Sequence, residues 1–103
     1  MTKTPISGIA QHHMKVEKSV VIKNRLGLHA RPASRFAKLA STFKSEIRLQ
    51  RNGESVDGKS ILEVLTLACP KGTELIVVAE GPDSVEAVEA LYRLVENQFG
   101  EID

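Results

Sequence analysis

One cysteine, Cys69, stands in a chain of 103 residues, so no internal disulfide can form. A solitary thiol suits a reducing cytosol better than an oxidising compartment. Charge of one sign is also lacking. Fourteen basic and thirteen acidic residues leave a net charge of +1. That balance gives no support to a general nucleic-acid or membrane-surface role. No run approaches the ~18 apolar residues of a membrane span. The opening MTKTPISGIAQHHMK has no apolar centre of the kind a signal peptide needs. Internal repeats and low-complexity segments are missing as well. What is present is ordinary for a globular domain: 42% apolar and 26% charged residues. The length supports one domain with one core. The expectation is a small cytoplasmic protein without membrane insertion or nucleic-acid binding.

Residues 1–14 mix Thr, Pro, Ser, Gly, Gln and His without apolar periodicity and read as a flexible tail. His12 and His13 are adjacent, cannot share one helix face and have no Cys, Asp or Glu nearby. No metal site is expected there. The folded domain is expected over residues 15–103.

In VEKSVVIK, Val16, Val20 and Ile22 alternate with polar residues as in a strand. In the next stretch, NRLGLHARPAS, Gly27 permits a bend at positive φ. From there the period changes. Ala33, Phe36, Ala37 and Ala40 recur at i, i+3, i+4, i+7, one face of a helix. Pro32 suits its first turn, where a missing N–H costs nothing. His29 therefore falls at the N-cap. SEIRLQR alternates, with Ile47 and Leu49 inward. Asn52-Gly53 then signals a hairpin, and ESVDG returns as a short strand with Val56 inward. SILEVLTLA reads as a short helix that is apolar almost all round, ended by Pro70 and Gly72. TELIVVAE is apolar enough for a central strand. Asp83 with Glu86 forms a capping-box pattern before a helix whose buried face carries Val85, Val88, Leu91 and Val95, with Phe99 near its end. The order β-α-β-β-α-β-α predicts an α+β open-faced sandwich: a four-stranded antiparallel sheet with three helices on one face.

GESVDGKS, residues 53–60, fits the nucleotide-binding pattern G-x-x-x-x-G-K-[ST]. The context argues against it. A working P-loop follows a buried strand, whereas this first glycine belongs to a hairpin and the residues after it look extended. No second, magnesium-binding motif offers itself.

GLHARPA carries more chemistry. A histidine at a helix mouth faces the N–H groups of the first turn, which have no partner inside the helix. That end bears partial positive charge and suits a phosphate. Arg31 adds a fixed cation that can hydrogen-bond phosphate oxygens. A neutral imidazole is a good nucleophile near pH 7. The plain alternative is a histidine that caps the helix, or is merely exposed, beside a surface arginine.

NRLGLHARPASRFAKLA resembles the active-site region of the histidine-containing phosphocarrier (HPr) family of the bacterial phosphoenolpyruvate-dependent phosphotransferase system. The resemblance continues through FKSEI, GKSILEVLTL, KGTELIVVAEG and the last helix. It implies that His29 takes a phosphoryl group on Nδ1 from phosphorylated enzyme I. His29 then passes it to an acceptor protein, an enzyme IIA-type domain or a nitrogen-branch equivalent. Arg31 and the backbone N–H groups of Ala30 and Arg31 would hold the phosphate. No metal and no organic cofactor is implied. The protein would be a monomeric, transiently phosphorylated carrier rather than a self-standing turnover enzyme. Ser60 matches a serine that an HPr kinase/phosphorylase modifies in many members; its position is equally that of a simple N-cap. Ile61, Leu62 and Leu65 match the family's partner-docking surface, and Lys38, Lys59 and Arg31 would ring it with positive charge. Those three apolar residues are expected at least partly exposed, with Val64 and Leu67 in the core. Cys69 is expected as a small packing residue. NQFGEID and EGPDSVEAV resemble the nitrogen-related NPr branch, whereas GKSILEVL resembles members targeted by HPr kinase, so both branches stay open. The alternative function is a regulatory interaction module of an incomplete or nitrogen-related system, read through its phosphorylation state.

Overall fold

The computed structural model describes residues 14–101, and the His12–His13 pair and nearly all of the expected tail fall outside them. The chain forms β1 (Lys15–Val21), α1 (Ala30–Ala40), β2 (Glu46–Arg51), β3 (Glu54–Asp57), α2 (Ile61–Thr66), β4 (Glu74–Glu80) and α3 (Ser84–Glu96). A 3-10 turn at Gln98–Gly100 follows. The sheet order is β1-β4-β2-β3, with every pair antiparallel. This is the expected open-faced sandwich. No helix among the described residues is long and apolar enough to cross a membrane.

β4 lies between β1 and β2, which explains its nearly continuous apolar character. Leu75, Val77 and Ala79 pair with Val20, Lys18 and Val16 on one side. On the other side, Val77 and Ala79 pair with Leu49 and Ile47. These residues share the face that packs on the helices. Phe36, Ala33 and Ala40 of α1, Val64 of α2 and Val88, Leu91 and Val95 of α3 complete one core cluster. Lys18 keeps its place in that inward row because its ammonium lies 4.2 Å from the centre of the Tyr92 ring. The Asn52-Gly53 turn has φ of 48° and 86°, as a type I′ hairpin requires.

Two expectations for α3 fail. Val85 is half exposed and Ser84 is buried instead, so the buried stripe runs through Ser84, Ala87, Val88, Leu91 and Val95. Asp83 occupies the N-cap position, yet its side chain makes no cap bond. Its carboxylate accepts from the backbone N–H groups of Lys44 and Ser45, at 2.8 and 2.9 Å, and from Ser45 Oγ at 2.6 Å. Three donors from the α1–β2 connection outcompete one local N–H, so the expected capping box is absent. The Ser45 hydroxyl and the two backbone N–H groups hold the Asp83 carboxyl down to about 2, against a smaller opposing effect of burial.

Candidate functional site

The loop before α1 is pinned from several sides. Asn24 is buried, and its Nδ2 donates to the Gly27 carbonyl at 2.6 Å. Gly27 N–H donates back to the Asn24 carbonyl at 3.1 Å, and Leu28 N–H donates to the Cys69 carbonyl at 2.8 Å. Gly27 has φ of 75°, and a Cβ there would sit 2.4 Å from the Cys69 carbonyl oxygen. Glycine is therefore required twice over, by backbone conformation and by close approach. This clamp sets the entry to α1.

His29 follows at the N-cap with extended backbone, φ −87° and ψ −168°, and its carbonyl accepts from Ala33 N–H at 2.9 Å. Its imidazole makes no cap bond. The side chain therefore does not cap the helix, and it is partly exposed beside Arg31. Ala30 and Arg31 supply first-turn N–H groups that have no acceptor inside the helix, while Pro32 has none to supply. The first turn of α1 holds no acidic residue. His29 opens onto a cleft of about 500 Å³ that Arg25, Leu26, Arg31, Arg35 and Glu101 also line. An imidazole, a helix mouth and three arginine side chains meet at that cleft, a setting that favours a tetrahedral anion.

Within that cleft the Glu101 carboxylate meets the imidazole, with Oε2 3.1 Å and Oε1 3.4 Å from His29 Nε2. Asn24 Nδ2 donates to Glu101 Oε1 at 3.0 Å. Arg35 Nη1 donates to the Phe99 carbonyl and fastens the turn that carries Glu101. Sequence reasoning did not find Asn24, Arg35 or Glu101. Glu101 is 72 positions from His29, and no local pattern links them.

The second half of GESVDGKS forms the mouth of α2. Ser60 is its N-cap, and Oγ accepts from Glu63 N–H at 3.2 Å. Glu63 Oε1 accepts from Asp57 N–H at 3.0 Å. Gly58 is buried, and a Cβ there would lie 2.7 Å from Ile47 Cγ2. Residues 54–57 pair with β2 in the sheet. Lys59 is half-buried, with Nζ donating to the Phe43 carbonyl at 2.8 Å. Residues that a P-loop would wrap round phosphates are here a strand in the sheet, which argues against the P-loop reading. Lys59 also differs from a free rim cation, because its ammonium is held against the fold.

On the outer side of α2, Ile61 is 39% and Leu62 77% exposed, and Leu65 is half-buried; Val64 and Leu67 are buried. Lys38 is exposed in the last turn of α1. Cys69 is a buried free thiol, and burial pushes its pKa up against the opposite pull of Arg51. Arg51 Nη1 donates to the Leu67 and Ala68 carbonyls at 2.7 and 2.8 Å and so closes the C-terminal end of α2. That end adjoins the His29 loop, where Leu26, Leu28, His29, Ala68, Cys69 and Pro70 line a small cleft. Ser60 sits at the other end of α2, outside the lining of the His29 cleft.

A family model described as the phosphorylation site of the HPr component of the phosphotransferase system matches residues 16–97. The chain is 42% identical over 86 residues to the phosphocarrier protein HPr of Cupriavidus necator, covering 84% of this chain and 97% of that protein. It is 47% identical over 83 residues to the HPr of Pseudomonas aeruginosa, covering 80% and 92%. Among solved structures it resembles an HPr from Thermoanaerobacter tengcongensis with a TM-score of 0.82 and 41% identity, over 85% of this chain and 99% of that one.

Proposed function

The chain belongs to the HPr family and is a phosphoryl carrier of the phosphotransferase system, and on that premise we propose His29 as the residue that carries the phosphoryl group. One observation supports this assignment above the rest: the His29 side chain stands at the mouth of α1 without capping it and opens onto an arginine-lined cleft. Arg31 and the N–H groups of Ala30 and Arg31 stabilise the phosphoryl oxygens. The donor is phosphorylated enzyme I and the acceptor an enzyme IIA-type domain, both met in the cytoplasm. Ile61, Leu62 and Leu65 form the apolar part of the docking face. Lys38 steers acidic partners, while Lys59 contributes from a fixed position. Ser60 is a second, regulatory phosphorylation site for an HPr kinase. A phosphate there would meet the carboxylate of Glu63 in the same first turn.

The test uses phosphoenolpyruvate, enzyme I and the purified chain. One phosphate per chain is expected, labile in acid and stable in base. The label is absent from His29→Ala and retained by Ser60→Ala. Equal labelling of His29→Ala and the parent would refute the assignment.

A further inference from the structure

We propose that Glu101, held by Asn24, is a positioning residue that keeps the proton of His29 on Nε2 and leaves the Nδ1 lone pair free to receive phosphorus. The proposal rests on the carrier role of His29. A carboxylate only accepts hydrogen bonds, so the imidazole nitrogen facing it must be the N–H donor. The nitrogen facing Glu101 is Nε2, 3.1 Å from Oε2. The tautomer of a histidine follows the partner of one ring nitrogen, and here that partner determines which nitrogen is nucleophilic.

The contact is built rather than incidental. The Glu101 side chain is only 13% exposed. Asn24, itself buried, directs one amide hydrogen to Oε1 and the other to the Gly27 carbonyl. The chain reaches this point through Gln98 and Phe99, both non-glycine residues at φ of 56°. Each such residue carries an intrinsic backbone strain of about 1 kcal/mol or more. The buried Phe99 ring and the bond from Arg35 to its carbonyl offset that strain and return the chain to the His29 cleft. A segment that only ended a helix would have no need of this path.

In the transfer step a bond forms between Nδ1 and phosphorus. The bond from phosphorus to the donor breaks, and the donor keeps that electron pair. No proton leaves the ring, so positive charge spreads over the imidazole with Nε2–H directed at the Glu101 carboxylate. Arg31 and Arg35 line the same cleft and balance the carboxylate against the incoming phosphoryl oxygens. In the return step the acceptor bonds to phosphorus, the Nδ1–P bond breaks with its electron pair returning to Nδ1, and Nε2 keeps its proton, hydrogen-bonded to Glu101, so the starting tautomer is restored.

The test compares the full chain with Glu101→Gln and Glu101→Ala. Long-range proton–nitrogen NMR of His29, recorded at a pH where titration shows the ring neutral, reports the tautomer. The parent is expected to be predominantly Nε2–H. Glu101→Gln is expected to move the population toward Nδ1–H, because an amide N–H can donate to Nε2. Phosphoryl acceptance from enzyme I should fall about tenfold in both variants, the lower end of the loss when a metal-ligating histidine is deprived of its carboxylate partner, taken here as the nearest parallel. Glu101→Gln should keep thermal stability near the parent's, because its amide oxygen can still accept from Asn24, whereas Glu101→Ala leaves that buried donor without its acceptor and should melt lower. Unaltered tautomer populations, or an altered tautomer with an unaltered rate, overturn the proposal. Failure of the parent itself to take a phosphoryl group would instead sink the carrier assignment of His29, and the tautomer measurement separates the two.

Discussion

The mouths of α1 and α2 are built to one plan and differ in what answers their free N–H groups. Each has a glycine two positions before the cap, Gly27 before His29 and Gly58 before Ser60, and each cap has extended backbone. At α2 the cap side chain turns inward and takes the Glu63 N–H. Glu63 also brings negative charge to that first turn. At α1 the cap side chain makes no cap bond and the first turn has no acid; three arginines line the space in front, with the Glu101 carboxylate on the imidazole rather than on the N–H groups. A helix mouth with open N–H groups and an imidazole beside them suits the phosphoryl site proposed at His29. Where the cap side chain answers one of those groups, as Ser60 does, the mouth is closed by the chain itself and does not hold a phosphoryl group in transit.

The comparison breaks most sharply at the two caps. His29→Ala is expected to remove the acid-labile phosphate entirely while thermal unfolding stays within about 0.5 kcal/mol of the parent, because no cap bond is lost. Next comes Arg31→Ala, which should slow phosphoryl acceptance by about 100-fold, the scale for losing one preorganised charged donor. Lys59→Ala should lower that rate only a few-fold, through its share of the docking face, because its ammonium is also held by the Phe43 carbonyl. Stopped-flow or quenched labelling checks both.

Gly27→Ala should destabilise by about 3 kcal/mol, from positive-φ strain plus a clash with backbone at Cys69. Gly58→Ala should be milder, because the obstructing atom is the Ile47 side chain rather than a carbonyl. Denaturant unfolding of the pair tests whether the first mouth is the more rigidly specified. Ser60→Ala should cost about 1 kcal/mol, the usual loss of an N-cap, with His29 labelling retained. If Ser60→Ala proves neutral, the inward cap bond is not what distinguishes α2.

The smallest effect belongs to Asp83, which ties the approach to α3 to the α1–β2 connection. Its carboxyl lies at about 2 in the fold, below the ordinary 3.8. A depressed carboxyl stabilises the fold above the unfolded value, and that contribution is lost as pH falls from about 4 toward 2. The stability gap between the parent and Asp83→Ala should therefore narrow over that window in urea titrations. Solvent around this half-exposed group keeps the gap modest.

Much of the architecture is readable from local pattern. The spacing of Ala33, Phe36, Ala37 and Ala40 defines the buried face of α1, and each of the four is buried. Asn52-Gly53 announces its turn, and GLHARPA places a histidine and an arginine at a helix mouth. Ile61 and Leu62 exceed what one core stripe needs, and both are exposed. The misreadings share one cause. Asp83 and Val85 were assigned by their sequence neighbours, but Lys44 and Ser45, 38 or more positions away, claimed the Asp83 carboxylate. Glu101 gave no signal at all.

The sequence by itself determined the order of elements, the periodic core faces and the residues at the two helix mouths, because those depend on spacings within a turn or a hairpin. Only the tertiary structure decided which atoms answer one another: Asp83 with Ser45, Lys59 with Phe43, and Glu101 with His29. Such pairings depend on how separate elements pack, and polar side chains take whichever donor or acceptor the packing brings within about 3 Å.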